Sequence, residues 1–175
     1  MSVHSFNAVC NKNTHTLILG SMPGVASLDA VEYYAHKRNA FWPIMLSTID
    51  HVEPDYSLIN ELTYQQRIKK LLNNGIGLWD VLASCERIGS LDSAIQSKSI
   101  KMNDFENLFK RYPTIRTVGF NGKTAQHLFN RYMLKKIEQA DSIRWLDLPS
   151  TSPAMAGLSL QQKSSIWTEA LNLPP

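Results

Sequence analysis

The residues with the most chemical potential lie in a few short polar or glycine-rich segments: Gly20-Ser21-Met22-Pro23-Gly24, Trp79-Asp80-Val81, Gly119-Phe120-Asn121-Gly122-Lys123 and Pro149-Ser150-Thr151-Ser152-Pro153-Ala154. A further run, Tyr33-Tyr34-Ala35-His36-Lys37-Arg38-Asn39-Ala40-Phe41-Trp42, interleaves aromatic rings with cations. That mixture suits nucleic acid, because rings stack on bases while cations meet phosphates. Phe41 and Trp42 also fit the start of an amphipathic helix continued by Met45 and Ile49. Such a helix does not account for two tyrosines, a histidine and two cations in the loop before it. The amides Asn39 and Asn121 can each donate and accept hydrogen bonds at once. Asp80 is the nearest carboxylate for proton transfer, and a strand-end turn or cap is the competing role for an aspartate placed there. Gly122-Lys123-Thr124 resembles the end of a phosphate loop, but that pattern needs glycine five positions earlier, where Thr117 stands. A tight strand-to-helix turn fits the segment better.

Bringing these segments together requires a particular arrangement of elements. Thr16-Leu17-Ile18-Leu19-Gly20 reads as a short buried strand ended by glycine. Residues 114–120 and 143–148 read as two more, and 76–81 as a fourth after the turn-forming Asn73-Asn74-Gly75. Helices fall between them. Ala125, Leu128, Phe129, Tyr132 and Met133 share one helical face, and Tyr64, Ile68, Leu71 and Leu72 nearly do so. Capping-box spacing marks three helix starts: Thr63 with Gln66, Asn103 with Glu106, and Ser159 with Gln162. Strands alternating with helices predict βαβ units and a parallel sheet covered on both faces. Ligands of such sheets sit beyond the carboxyl ends of the strands, where the candidate segments fall.

Composition narrows the class. The 175 residues suit one domain spanning 1–175, with 43% hydrophobic and 19% charged residues, ordinary for a globular core. No apolar run approaches the roughly 20 residues of a membrane span, so no membrane association is expected. The first residues lack a basic start followed by an apolar stretch, so the expected compartment is the cytoplasm. Cys10 and Cys85 are too few for a disulfide framework or a four-cysteine cluster, and the five histidines show no metal-ligand spacing. The net charge of +3 permits a polyanionic partner without requiring one.

Taken in order, GSMPG at 20–24, YYAHKRNAFW at 33–42, GLWDVLASCERIGSLD at 77–92, FNGKTA at 120–125 and LPSTSPA at 148–154 resemble the uracil-DNA glycosylase superfamily, specifically its hypoxanthine (deoxyinosine) branch. The resemblance implies a three-layer α/β/α sandwich around a short, mainly parallel four-stranded sheet. It implies monofunctional cleavage of an N-glycosidic bond, leaving an abasic site, with no metal or cofactor; for a chain of this size a monomer is the default expectation. Two departures weigh against plain uracil excision. Met22 stands where mismatch-specific relatives carry asparagine, and Leu148 where classical uracil glycosylases carry histidine. Asn39 is then the expected catalytic amide, and Asn121 a second polar residue of the base pocket. Uracil, xanthine or a mismatched base remain alternative substrates, and a non-catalytic DNA-binding module on the same scaffold remains an alternative class.

On this reading a deaminated base is rotated out of DNA at a cost of a few kcal/mol. Tyr34 stacks on it, while the segment Gly20, Ser21, Met22, Pro23 and Gly24, through backbone N–H groups from Ser21 to Gly24, and an amide at Asn39 or Asn121 recognise an oxo purine. (Pro23 contributes shape only, having no N–H.) Asn39 places the water, and Asp80 is the candidate base. Lys37, Arg38 and Lys123 are expected at phosphates, and His36 at the backbone. Pro149, Ser150, Thr151, Ser152, Pro153 and Ala154 are expected against the DNA strand. Met155 is a candidate wedge for the vacated space, with core packing as its alternative.

Overall fold

The computed structural model describes residues 2–173. Seven strands form two sheets. The larger contains β2 (Thr16–Gly20), β3 (Ile76–Asp80), β6 (Thr117–Asn121) and β7 (Arg144–Leu148) in the order β3-β2-β6-β7. All three pairings are parallel, with Leu19 beside Trp79 and Phe120, and Phe120 beside Asp147. All five residues of β2 are buried, as a central parallel strand covered on both faces should be.

The described residues also form six α-helices: α1 (Val25–Ala30), α2 (Phe41–Asp50), α3 (Tyr64–Asn73), α4 (Phe105–Arg111), α5 (Lys123–Tyr132) and α6 (Leu160–Leu171). Alternation along β2 sends Leu17 and Leu19 to one face and Ile18 to the other. The first face meets Phe105 and Phe109 of α4 and Phe129 of α5. The second meets Phe41, Trp42 and Met45 of α2, Leu71 of α3 and Trp167 of α6. The result is the expected α/β/α arrangement, with the large sheet parallel throughout. Eight of the ten residues of α2 are buried, so the helix begun by Phe41 and Trp42 is a core element rather than an amphipathic one.

Three local expectations need correction. The strand expected at 114–120 begins at Thr117 because Arg116 and Thr117 both donate to the His15 carbonyl and turn the chain into register. The capping box of Asn103 does not form. Asp104 caps α4 instead, accepting from Asn107 N at 3.0 Å, because the Asn103 amide donates to the carbonyls of Asp80 and Leu82. The boxes at Thr63 and Ser159 are complete in both directions. Finally, the strand read at 76–81 ends at Asp80, and a second sheet that the sequence did not show follows it. After the bend at Val81 the chain continues as β4 (Leu82–Glu86), which pairs antiparallel with β1 (Ser2–His4) and β5 (Lys101–Met102) in a small second sheet. This sheet abuts the carboxyl end of the large one: Val81 N donates to Gly20 O and Leu82 N to Ser21 O.

Candidate active site

The carboxyl ends of β2, β3, β6 and β7 open into a cleft of about 420 Å³. Gly20, Ser21, Met22, Pro23, Gly24, Tyr34, Asn39, Asp80, Asn121, Ser150, Thr151, Ser152, Pro153, Ala154 and Met155 all line it. Lys37 and Arg38 are exposed on the rim between His36 and Asn39, and Lys123 is exposed at the start of α5. Pro149 lies outside the lining, its carbonyl accepting from Trp167 Nε1 at 2.9 Å.

Asp80 forms the floor. It is 3% exposed, and Ser5 Oγ donates to its Oδ2 at 2.7 Å. Its Oδ1 lies against Gly20, where an added Cβ would stand 2.6 Å from it and 3.4 Å from the Tyr34 hydroxyl. Glycine at the end of β2 therefore makes room for the carboxylate beside the tyrosine. Burial pushes the Asp80 carboxyl up to about 7, while the Ser5 hydrogen bond acts in the opposite direction by favouring the ionised form. A carboxyl poised there can hold or release a proton near neutrality. A strand-end cap would not need such burial.

Tyr34 sits at φ 58°, in the left-handed region that few non-glycine residues adopt. Its ring stacks on Phe41 at 3.9 Å between centroids and 21° between planes, so Phe41 backs one face of a residue that lines the cleft. Burial, reinforced by Asp80, pushes its phenol well above the usual range, so the hydroxyl stays protonated.

The two amides are held differently. Asn39 Oδ1 accepts from Phe41 N at 3.0 Å, capping the first turn of α2. That bond fixes which end of the amide is oxygen and leaves the NH₂ without a partner among the described residues. Asn121 pairs twice with one residue: Nδ2 donates to Thr151 Oγ1 at 2.8 Å, and Oδ1 accepts from Thr151 N at 2.9 Å. Thr151 is fully buried, and its carbonyl accepts from Ala40 N. In this structure Asn121 and Thr151 are a latch joining β6, the 149–155 loop and the start of α2. Thr151 thus differs from the expected DNA-facing residue, because its hydroxyl, N–H and carbonyl are all already bonded inside the protein.

Other side chains shape the walls. Met22 packs with Leu82 and Cys85 in a small cluster. The N–H groups of Met22 and Gly24 donate to no described residue. The ring of His36 faces the backbone as expected, Nδ1 accepting from Arg38 N at 3.2 Å. Met155 is 41% exposed, so it does not pack in the core, and Lys163 Nζ donates to its carbonyl at 2.7 Å.

One wall was not foreseen. Ser90, Leu91, Asp92 and Ser93 line the cleft from the loop after β4. Asp92 Oδ1 accepts from Ser21 Oγ at 2.7 Å and lies 3.9 Å from Arg87 Nη1. The Arg87 guanidinium is buried and donates to the Pro23 carbonyl, tying this loop to the first one. Gly89 after an arginine was the available signal, but a lone Arg in sequence reads as solvated charge. Among the described residues no three His, Cys, Asp or Glu side chains group as metal ligands, and no helix is long and apolar enough to cross a membrane.

Comparison with known proteins agrees with this fold. The model of the uracil DNA glycosylase superfamily matches residues 7–171. A hypoxanthine DNA glycosylase of Methanosarcina barkeri is 36% identical over 170 residues, 97% of this chain and 98% of that protein. Another of Methanosarcina acetivorans is 37% identical over 125 residues, 71% of this chain and 74% of that protein. A solution NMR structure of a Methanosarcina acetivorans protein described as a uracil DNA glycosylase superposes with a TM-score of 0.77 at 32% identity, covering 97% of this chain and 96% of that one.

Proposed function

Since this chain belongs to the uracil DNA glycosylase superfamily, we propose that it is a hypoxanthine DNA glycosylase, which turns a deaminated purine out of DNA and hydrolyses its bond to the sugar. The observation that carries the chemistry is the meeting, in one cleft, of a buried carboxylate, a tyrosine backed by Phe41 and an amide whose NH₂ has no partner among the described residues. Tyr34 stacks on the extrahelical base. Asn39 donates to it, and the N–H groups of Met22 and Gly24 supply further donors. Hypoxanthine offers acceptors at O6 and N7, whereas adenine presents an amine in place of O6, so donors there favour the deaminated base. The same donors stabilise the base as it gains electron density on departure, each contributing a few kcal/mol in a dry site.

The sugar becomes cation-like as the bond lengthens, and the ionised Asp80 favours that charge. Asp80 then takes the proton of the attacking water, with Asn39 helping to place it. Lys37, Arg38 and Lys123 meet phosphates, and Ser150, Ser152 and Met155 meet the strand around the lesion. On the same reading the enzyme is a one-domain monomer working in the cytoplasm beside the chromosome, with water as its only co-reactant.

The test is a panel of duplexes carrying one inosine, uracil or xanthine, followed by alkaline cleavage of abasic sites. The expected result is strand scission at inosine and none at intact adenine, with a loss of about 100-fold or more for Asn39→Ala. Faster release of uracil or xanthine would move the substrate assignment. DNA retardation in a gel with no scission from any lesion would make the protein a binding module instead.

A further inference from the structure

The loop after β4 carries an apolar tip beside the cleft. Ile88 is 81% exposed and Leu91, which lines the cleft, is 57% exposed. Single exposed aliphatic residues are ordinary. These two flank Gly89 and Ser90 in one turn, and that turn is anchored. Ser90 Oγ accepts from Val25 N at 2.9 Å, Asp92 accepts from Ser21 Oγ at 2.7 Å, and Ala94 N donates to Leu91 O at 3.0 Å. Arg87 is buried at the base of the turn. An apolar tip is thus held out to solvent by a fixed base.

Position supplies the partner. The turn is reached from β3 through β4, and β3 is one edge of the parallel sheet. The 149–155 loop follows β7, the opposite edge. Leu91 and Met155 both line the cleft, on loops reached from opposite edges of the sheet. Residues 88–91 carry no charge, so phosphate contact is not their chemistry. The surface they match is apolar: the faces of stacked bases, opened where one base has left. We propose that Leu91 is a second inserting residue, entering the duplex beside the lesion from a loop reached from the sheet edge opposite that of Met155, with Ile88 packing against the adjoining strand. This rests on the reading that the cleft receives an extrahelical base.

Two measurements test it. Single-turnover release of hypoxanthine is compared between a duplex and the same strand unpaired. A residue that fills a gap in stacked DNA matters only for the duplex, so Leu91→Ala should lower the duplex-to-single-strand rate ratio about tenfold. Val52→Ala serves as control. Val52 is 49% exposed just beyond α2, whose ten residues carry it about 15 Å from the Asn39 end, and the ratio should not change. In the second measurement, 2-aminopurine is placed next to the inosine. Binding of the wild type should raise its fluorescence, and Leu91→Ala should abolish most of the rise. Equal losses on both substrates, or no loss on either, would overturn the insertion. If the wild type releases no hypoxanthine from either form, the functional reading fails by itself, and the 2-aminopurine signal alone decides whether Leu91 inserts.

Discussion

Asn39 does two jobs that one substitution can separate. Its Oδ1 caps α2 by accepting from Phe41 N, while its NH₂ is left for a ligand. Asn39→Ala removes both and should cost about 1 kcal/mol of stability along with activity. Asn39→Asp keeps an equally good cap and deletes the donors. The expected outcome is an unchanged melting temperature with hypoxanthine release reduced as severely as in the alanine variant; near-normal release would remove Asn39 from the reaction. Ser5 offers a finer probe of Asp80. Its hydroxyl favours the ionised carboxylate, opposing the effect of burial, and the buried Tyr33 and Tyr34, with Asp92 and Arg87, complete the ionisable surroundings. The wild-type rate should fall as pH drops below about 7, where Asp80 takes up its proton. Losing a hydrogen bond to a charged group corresponds to about one pKa unit, so Ser5→Ala should move that acid limb upward by about one pH unit while the alkaline plateau changes less. A limb that stays in place would show that Asp80 does not set it.

At the scale of elements, the 149–155 loop and α5 meet at Gly122, the N-cap of α5, whose φ of 98° belongs to glycine. A Cβ there would also lie 2.9 Å from Ser150 Cβ. Gly122→Ala should therefore destabilise the fold by about 1–3 kcal/mol in chemical denaturation. It should also weaken lesion-DNA binding by displacing Ser150, an effect absent if that loop does not touch DNA. The sequence revealed this turn, because glycine closing a β-branched run just before a helical face is a local signal. The four parallel strands and the Thr63 and Ser159 caps were legible for the same reason. Hidden features depended on distance or brevity. Strands β1 and β5 have only three and two residues, too few to show a period, and in β4 Ser84 and Glu86 interrupt any apolar run. Ser5 meets Asp80 across 75 positions. Asn121 read as a base-binding amide because nothing nearby in sequence shows Thr151 occupying both its ends. The residues lining the cleft were mostly foreseeable, since parallel sheets gather their loops at one edge; the hydrogen bonds among those loops were not.

For the whole molecule, the site and the fold pull in opposite directions through one carboxylate. Asp80 ends β3 just before the bend where the two sheets meet, and burial holds its carboxyl at about 7 in the folded chain. In the unfolded chain an aspartate titrates near 3.9. Between those values the folded state keeps a proton that the unfolded state has released. The sign follows from linkage: where the folded state binds more protons, stability falls as pH rises. This contribution is thus full below about pH 4, declines through the interval and has gone above about 7, the range in which a base must be ionised to work. Asp80→Asn removes the ionisable group but keeps a polar partner for Ser5. The variant should lose activity by about 100-fold or more and, at pH 8, melt higher than the wild type, by an amount on the order of a few kcal/mol. At pH 4.5 the two should melt alike. A variant equally unstable at both pH values would mean that Asp80 serves the fold as a charged residue, and that proton transfer in the cleft belongs to another group.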